Sequence, residues 1–235
     1  MTALRSLAFN LLFALWTALI FVISLPTLLM PIGAMWAMGG LWVKGTLVLL
    51  AAIVGLRHRV IGSEHRVTGP AIYAAKHQSA WDTLIFRLLF DRPAYVLKRE
   101  LTVVPLFGWY LRRLRMIAVD RQGGGGALKR MVAAAKAAAA EGRPVIIYPE
   151  GTRTAPGERR PYHPGIAALY LELGLPVVPV ALDSGRFWGR RSFVKRSGRI
   201  TLEFLPAIPP GQPRRAFMAE LEKRIETAAE RLAKA

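Results

Sequence analysis

The residues best equipped for chemistry stand together early in the chain, which reads Lys76-His77-Gln78-Ser79-Ala80-Trp81-Asp82. A histidine titrates near neutrality and can take a hydroxyl proton. A carboxylate beside it fixes the tautomer and supports the imidazolium. In a continuous helix, positions five apart lie about 140° off a common face. His77 therefore meets Asp82 only if His77 sits in a loop and Asp82 in the first turn of a helix. Ser79 suits the N-cap, and Ser79-x-x-Asp82 ahead of Thr83-Leu84-Ile85-Phe86 reads as a capping box, which is also a purely structural account of Asp82. A second stretch, Tyr148-Pro149-Glu150-Gly151-Thr152-Arg153-Thr154, closes an apolar run. Arg153 offers a planar fork suited to phosphate, with the Thr152 and Thr154 hydroxyls beside it. A Pro-Glu-Gly turn carrying a solvated arginine is the bland alternative.

Positioning such groups calls for strands that deliver them to one edge, because ligands in open α/β sheets bind beyond the strand ends. Short β-rich runs alternate with helical stretches after Arg59. The pattern predicts strands at Val60–Ile61 extending towards Val67, Ala71–Ala75, Ala94–Leu97, Met116–Val119, Val145–Tyr148, Val177–Leu182 and Ile200–Leu205. It predicts helices at Trp81–Phe90, Leu106–Leu114, Ala127–Ala140, Gly165–Leu173 and Arg215–Lys234. Alternation of this kind implies an α/β fold, a mostly parallel mixed sheet flanked by helices. Lys98-Arg99-Glu100-Leu101 and Val119-Asp120-Arg121 also follow predicted strands. Pro179 falls inside the run Val177–Leu182, which places it at an edge or bulge. The glycines at 123–126 read as a flexible joint before the Ala-rich helix and match no nucleotide-binding loop. Phe217, Leu221, Ile225, Ala228 and Leu232 form one stripe on the last helix, a pattern of packing.

The chain has 235 residues, 53% of them hydrophobic and 20% charged, no cysteine, and a net charge of +18. So many apolar residues exclude a disordered chain. The missing cysteines exclude disulfides, Cys-based zinc sites and a cysteine nucleophile. Arg5 and Lys44 are the sole charges in residues 1–56, which leaves +16 of the +18 on the remainder. From Ser6 to Val43 no side chain is charged, and about 20 apolar helical residues span a bilayer core. Pro26, Pro31, Gly39 and Gly40 break the segment, which reads as a two-helix membrane hairpin over 1–58, ahead of a catalytic domain over 59–235. Its length exceeds the apolar region of a cleavable signal. Arg5 precedes it and Arg57, His58 and Arg59 follow, so the positive-inside rule puts both ends in the cytoplasm. Lys44 favours a shallow hairpin.

In order, K-H-Q-S-x-W-D, K-R-E-L with P-x-x-G and V-D-R, Y-P-E-G-T-R-T and V-V-P-V resemble the blocks of the bacterial 1-acylglycerol-3-phosphate acyltransferase family. The blocks span residues 76–181. The resemblance implies transfer of an acyl group from acyl-CoA or acyl-carrier protein, as co-substrate, to a phosphorylated lyso-lipid acceptor. It implies no cofactor or metal, and an enzyme on the cytoplasmic side of the bacterial inner membrane. By the same resemblance His77 is the general base and Asp82 orients it. Lys98, Arg121, Glu150, Gly151, Thr152 and Arg153 fall in substrate-binding blocks, and Pro179 takes a structural or acyl-chain role. Attack is direct, and Ser79 is read as a cap. One departure is Tyr162-His163-Pro164-Gly165, where many relatives carry lysine in a K-x-G step. A different lyso-lipid acceptor, such as a lyso-ornithine lipid, is therefore an alternative.

Rival readings rest on charge. A non-catalytic protein binding anionic lipid would need the cations but neither His77 nor Asp82. Nucleic acid is suggested by the clusters Arg112-Arg113-x-Arg115 and Arg186 to Arg196, yet no nucleic-acid motif accompanies them. Basic residues interleaved with Phe187, Trp188 and Phe193 suit an anionic membrane surface.

Overall fold

The computed structural model describes residues 1–121 and 123–234. Helix α1 (Thr2–Ser24) turns through a 3-10 segment at Leu25–Leu28, with Pro26 in its first turn, into α2 (Ile32–Leu49). A single π-turn over Leu50–Val54 extends α2 to Gly55, whose left-handed backbone (φ 76°) reverses the chain. The continuous helical stretches Thr2–Leu28 and Ile32–Val54 are each long and apolar enough to cross a membrane.

The strands are β1 (Leu56–Ile61), β2 (Ile72–Ala75), β3 (Ala94–Lys98), β4 (Ile117–Val119), β5 (Val145–Ile147), β6 (Val177–Leu182) and β7 (Gly198–Phe204). Helices α3 (Trp81–Leu89), α4 (Phe107–Arg113), α5 (Gly124–Ala140), α6 (Gly165–Leu173) and α7 (Arg214–Lys234) connect and follow them. They form one sheet in the order β1-β7-β6-β2-β5-β3-β4, parallel throughout except at β6–β7. The expected mixed α/β sheet is present.

Two local expectations need correction, and a third is met in one of its two forms. Strand β1 starts at Leu56 and stops before Gly62, well short of Val67. It is an edge strand hydrogen-bonded to β7 alone, so its middle can expose Arg57, His58 and Arg59 and gives no apolar signal. The glycines at 124–126 form the first turn of α5 instead of a joint, drawn into the helix by the buried Ala127 and Met131 that follow. Pro179 lies in an interior strand rather than at an edge. Its environment is nonetheless a bulge: Val180 opposes Phe204, while Val177 opposes Ile208, one residue out of register. The side of Pro179 that lacks an N–H thus faces the point where the partner chain departs, and its carbonyl still accepts from Leu205.

Side chains alternate across the sheet. Ala71, Tyr73, Ala75, Ile146, Val178 and Val180 pack under the hairpin and α3, with Phe9, Val43, Leu47, Leu50, Ile85 and Trp188. Ile72, Ala74, Val145, Ile147 and Val177 pack under α5, α6 and α7, with Met131, Ile166, Phe217 and Leu221. The hairpin is therefore one face of the core. Polar contacts pin it from end to end. Lys195 donates its backbone N–H to Ser6 Oγ at 3.0 Å and its Nζ to Asn10 Oδ1 at 2.6 Å. At the far end of α1, Ser24 Oγ bonds Tyr110 Oη at 2.8 Å.

Candidate active site

Strands β2, β5, β3 and β4 are consecutive in the sheet and parallel, so their carboxyl ends share one edge. That edge receives His77 after β2, Glu150 to Arg153 after β5, Lys98 at the end of β3 and Arg121 after β4. Topology alone thus gathers motifs separated by up to 77 residues.

His77 sits in the loop and Asp82 in the first turn of α3, as their spacing requires. His77 Nδ1 lies 3.0 Å from Asp82 Oδ2. The buried Asp82 carboxylate also accepts from the backbone N–H groups of Gln78 (2.7 Å) and Ser79 (2.8 Å), and from Ser184 Oγ at 2.5 Å. Four donors fix its direction. With Asp82 accepting from Nδ1–H, the His77 lone pair is on Nε2, where a base would be used. The capping box is half realised: Asp82 reaches back to Ser79 N–H, while Ser79 Oγ accepts from Trp81 N–H at 3.1 Å. One carboxylate therefore both reaches back to the start of α3 and partners His77. Ser79 is fully buried just ahead of the N-cap residue Ala80, and its hydroxyl is occupied by the Trp81 N–H.

A second layer holds the ring in place. Tyr148 stacks on His77 with centroids 4.1 Å apart, and its hydroxyl donates to the Asp82 carbonyl at 2.9 Å. Burial keeps that phenol neutral, far above its ordinary pKa. Beneath the loop, Lys76 Nζ lies 2.6 Å from Glu150 Oε1 and 2.8 Å from Glu226 Oε1, all three nearly inaccessible. Glu150 in turn accepts the His77 backbone N–H at 2.8 Å and the Thr154 hydroxyl at 2.9 Å. Burial raises the Glu150 carboxyl above its usual range, against the pull of Lys76. Tyr162 Oη donates to Glu226 at 3.0 Å.

Glu150 is thus turned into the protein and braces the loop that carries His77. Gly151 has φ +65°, and a Cβ there would lie 2.6 Å from His163 Cδ2 and 3.3 Å from Arg121 Cζ. Glycine lets those two side chains close over the backbone. Burial lowers the Arg121 guanidinium from its ordinary value, with Glu100 opposing. Thr152 and Arg153 are half-buried at the mouth, and Lys98 is exposed. Among the described residues neither Arg153 nor Lys98 forms an ion pair. Pro179 is buried in mid-strand beside Ala74, away from these groups.

Sequence reasoning missed Lys76, Tyr148, Ser184 and Glu226. Lys76 and Tyr148 stood inside quoted motifs, at the ends of apolar strands. Glu226 adjoins the apolar stripe of α7 and carries no local signal, since its partner is 150 residues away.

The Acyltransferase family profile matches residues 57–183, more than half of the chain. The chain belongs to the Acyltransferase family. The match begins at β1 and ends just after β6, enclosing every group of the His77 site except Ser184 and Glu226. Among curated proteins, the acyltransferase from this sequence is 35% identical over 186 residues to the 1-acyl-sn-glycerol-3-phosphate acyltransferase of Pseudomonas aeruginosa, covering 79% of this chain and 72% of that one. It is 31% identical to the enzyme of that name from Limnanthes douglasii over 68% of this chain, and spans little more than half (57%) of the plant protein. The crystal structure of PlsC from Thermotoga maritima, described as a 1-acyl-sn-glycerophosphate (LPA) acyltransferase, superposes with a TM-score of 0.79 at 20% identity. It covers 99% of this chain and 98% of its own, so the hairpin belongs to the shared fold.

Proposed function

We propose that this acyltransferase moves a fatty acyl group from acyl-CoA or acyl-carrier protein to the sn-2 hydroxyl of 1-acylglycerol 3-phosphate, giving phosphatidic acid. The observation that carries the reading is the His77–Asp82 pair on the same sheet edge as Arg153, Arg121 and Lys98. The names of the bacterial and plant relatives support the same acceptor.

The acceptor's phosphate is held by Arg153 and Arg121, with Lys98 at the rim. Its hydroxyl then lies against His77 Nε2, which takes the proton as the oxygen attacks the thioester carbonyl. A tetrahedral intermediate forms and collapses with loss of the thiolate. The His77 imidazolium, stabilised by Asp82, returns its proton to the leaving sulfur. No acyl-enzyme is formed, in keeping with a buried Ser79 whose hydroxyl accepts the Trp81 N–H. A positioned base of this kind contributes roughly 10²–10⁴-fold to the rate.

The lipid reaches this edge at a membrane surface. The outer face of the hairpin exposes Leu4, Leu11, Leu15, Val22, Leu29 and Val48, and an apolar groove of about 550 Å³ runs between its helices. The turn after β3 adds Leu101 and Val103, and α4 adds Phe107 and Trp109, joined to the hairpin through Tyr110. Contact along the length of α1 supports a shallow hairpin in one leaflet, with Arg5 and Arg57 to Arg59 on the cytoplasmic side of a bacterial inner membrane. The test is purified protein with labelled acyl-CoA or acyl-carrier protein and a panel of lyso-lipids. Transfer to lysophosphatidic acid is expected; transfer confined to a phosphate-free lyso-lipid, such as a lyso-ornithine lipid, would overturn the acceptor.

A further inference from the structure

A second concave site lies at the opposite edge of the sheet from His77. Arg92 precedes β3 and Arg143 precedes β5, at their amino ends. The site holds about 150 Å³ and is lined by Ile32 and Trp36 of α2 with Arg92, Arg115, Glu141 and Arg143. Three guanidinium groups there meet two carboxylates, Glu141 and, at 3.1 Å from Arg92, Asp91. Glu141 lies 2.6 Å from Arg115 Nη1 and 3.6 Å from Arg143 Nη1, so with Asp91 on Arg92 one positive charge is in excess.

The deepest cation is held in place before any ligand arrives. Arg143 is 6% exposed, donates to the carbonyls of Arg92 and Leu114 at 3.0 Å each, and lies over the Trp36 ring at 5.6 Å. Burial disfavours its charged form, and Glu141 only partly opposes this. Arg115 has φ 51°, a left-handed conformation that costs a non-glycine residue free energy and here sets its side chain at the site. The rim toward the hairpin turn is apolar. Leu29 is 94% exposed and Met30 47%, while Arg113 donates to the Met30 carbonyl at 2.6 Å. Guanidinium groups beside exposed aliphatic side chains mark the height at which lipid phosphates lie.

We propose that this site binds the phosphate of an anionic phospholipid head group, separate from the acyl acceptor, and so fixes the hairpin turn at the membrane interface. The proposal goes beyond the acyl-transfer reading and does not depend on His77. The test uses the full-length protein in neutral detergent micelles and follows the tryptophan fluorescence change that Trp36→Phe abolishes. One arm adds phosphatidylglycerol to the micelles, the other inorganic phosphate. Saturable binding is expected in the lipid arm, weakened at least about tenfold by Arg92→Gln/Arg115→Gln. Arg214→Gln/Arg215→Gln removes the same charge elsewhere and should change binding by less than about twofold. Acyl transfer in micelles without phosphatidylglycerol should be unchanged in the first pair. Equal weakening by both pairs, or no saturable binding in either arm, would overturn the site. Binding of inorganic phosphate without binding of phosphatidylglycerol would overturn its assignment to lipid.

Discussion

Glu226 on the last helix should govern turnover although it touches no substrate. Its carboxylate meets Lys76 Nζ at 2.8 and 2.9 Å, and Lys76 meets Glu150, which accepts the His77 backbone N–H. At 2.8 Å and an effective dielectric of 20, the Coulomb attraction is about 6 kcal/mol, most of it offset by desolvating both ions. Glu226→Leu removes one partner and leaves Lys76 under-compensated and the Tyr162 hydroxyl unpaired, at a cost of about 3–5 kcal/mol. Glu226→Gln keeps acceptors for both donors and loses only the charge-assisted part, about 1 kcal/mol. Relaxation of Lys76 shifts Glu150 and hence His77, and a displacement of about 1 Å at a reacting group costs up to about 100-fold in rate. Steady-state kinetics of variants shown folded by urea titration should give a kcat lowered about 10- to 100-fold for Glu226→Leu, with the acceptor KM nearly unchanged. Glu226→Gln should recover most of that loss. A folded Glu226→Leu protein with wild-type kcat, or with a defect confined to KM, would refute the positioning role.

Arg153→Ala removes a charged donor worth about 1.5–3 kcal/mol, so the KM for a phosphorylated acceptor should rise roughly 10- to 100-fold with kcat little changed, measured by initial rates. Phe9 is fully buried, stacked on Phe13 at 5.6 Å and edge-on to Trp188 at 5.7 Å, so Phe9→Ala should lower unfolding free energy by about 3–5 kcal/mol in denaturant titration. Loss below about 1 kcal/mol would mean the hairpin is not part of the core. Burial raises the Asp183 carboxyl, opposed by the Thr201 N–H it accepts. The folded state therefore holds that proton more tightly, and the stability it contributes below the ordinary carboxylate pKa is lost as pH rises through the raised value. Thermal melts of Asp183→Asn should match wild type near pH ~4 and exceed it increasingly towards pH ~7.

Much of this architecture is visible in the sequence because β2, β5 and β6 are fully buried and, with the half-buried β3 and β4, read as short apolar runs. Four of those runs end in polar motifs, and parallel pairing turns that regularity into a single site edge. Where signals failed, the cause was tertiary. β1 pairs on one side only, so Arg57, His58 and Arg59 hid it, and packing beneath α5 drew three glycines into a helix. The motifs identified His77 and Asp82 correctly as partners, since a loop-to-first-turn geometry is local. They could not say which way Glu150 points, because its direction is set by Lys76 and, through it, by Glu226 on a distant helix. Deleting the hairpin, natural from the sequence, would strip Phe9, Val43 and Leu47 from the core.

The central claim is that His77, oriented by Asp82, is the base in a direct acyl transfer. The measurement that tests it most directly is the initial rate of acyl transfer to 1-acylglycerol 3-phosphate by wild type and His77→Ala at matched folded fraction, with denaturing mass spectrometry of protein quenched in turnover. The rate should fall about 10²–10⁴-fold, with unmodified protein mass in both samples. A variant retaining most of its activity, or an acyl group covalently attached to the protein in turnover, would contradict the account.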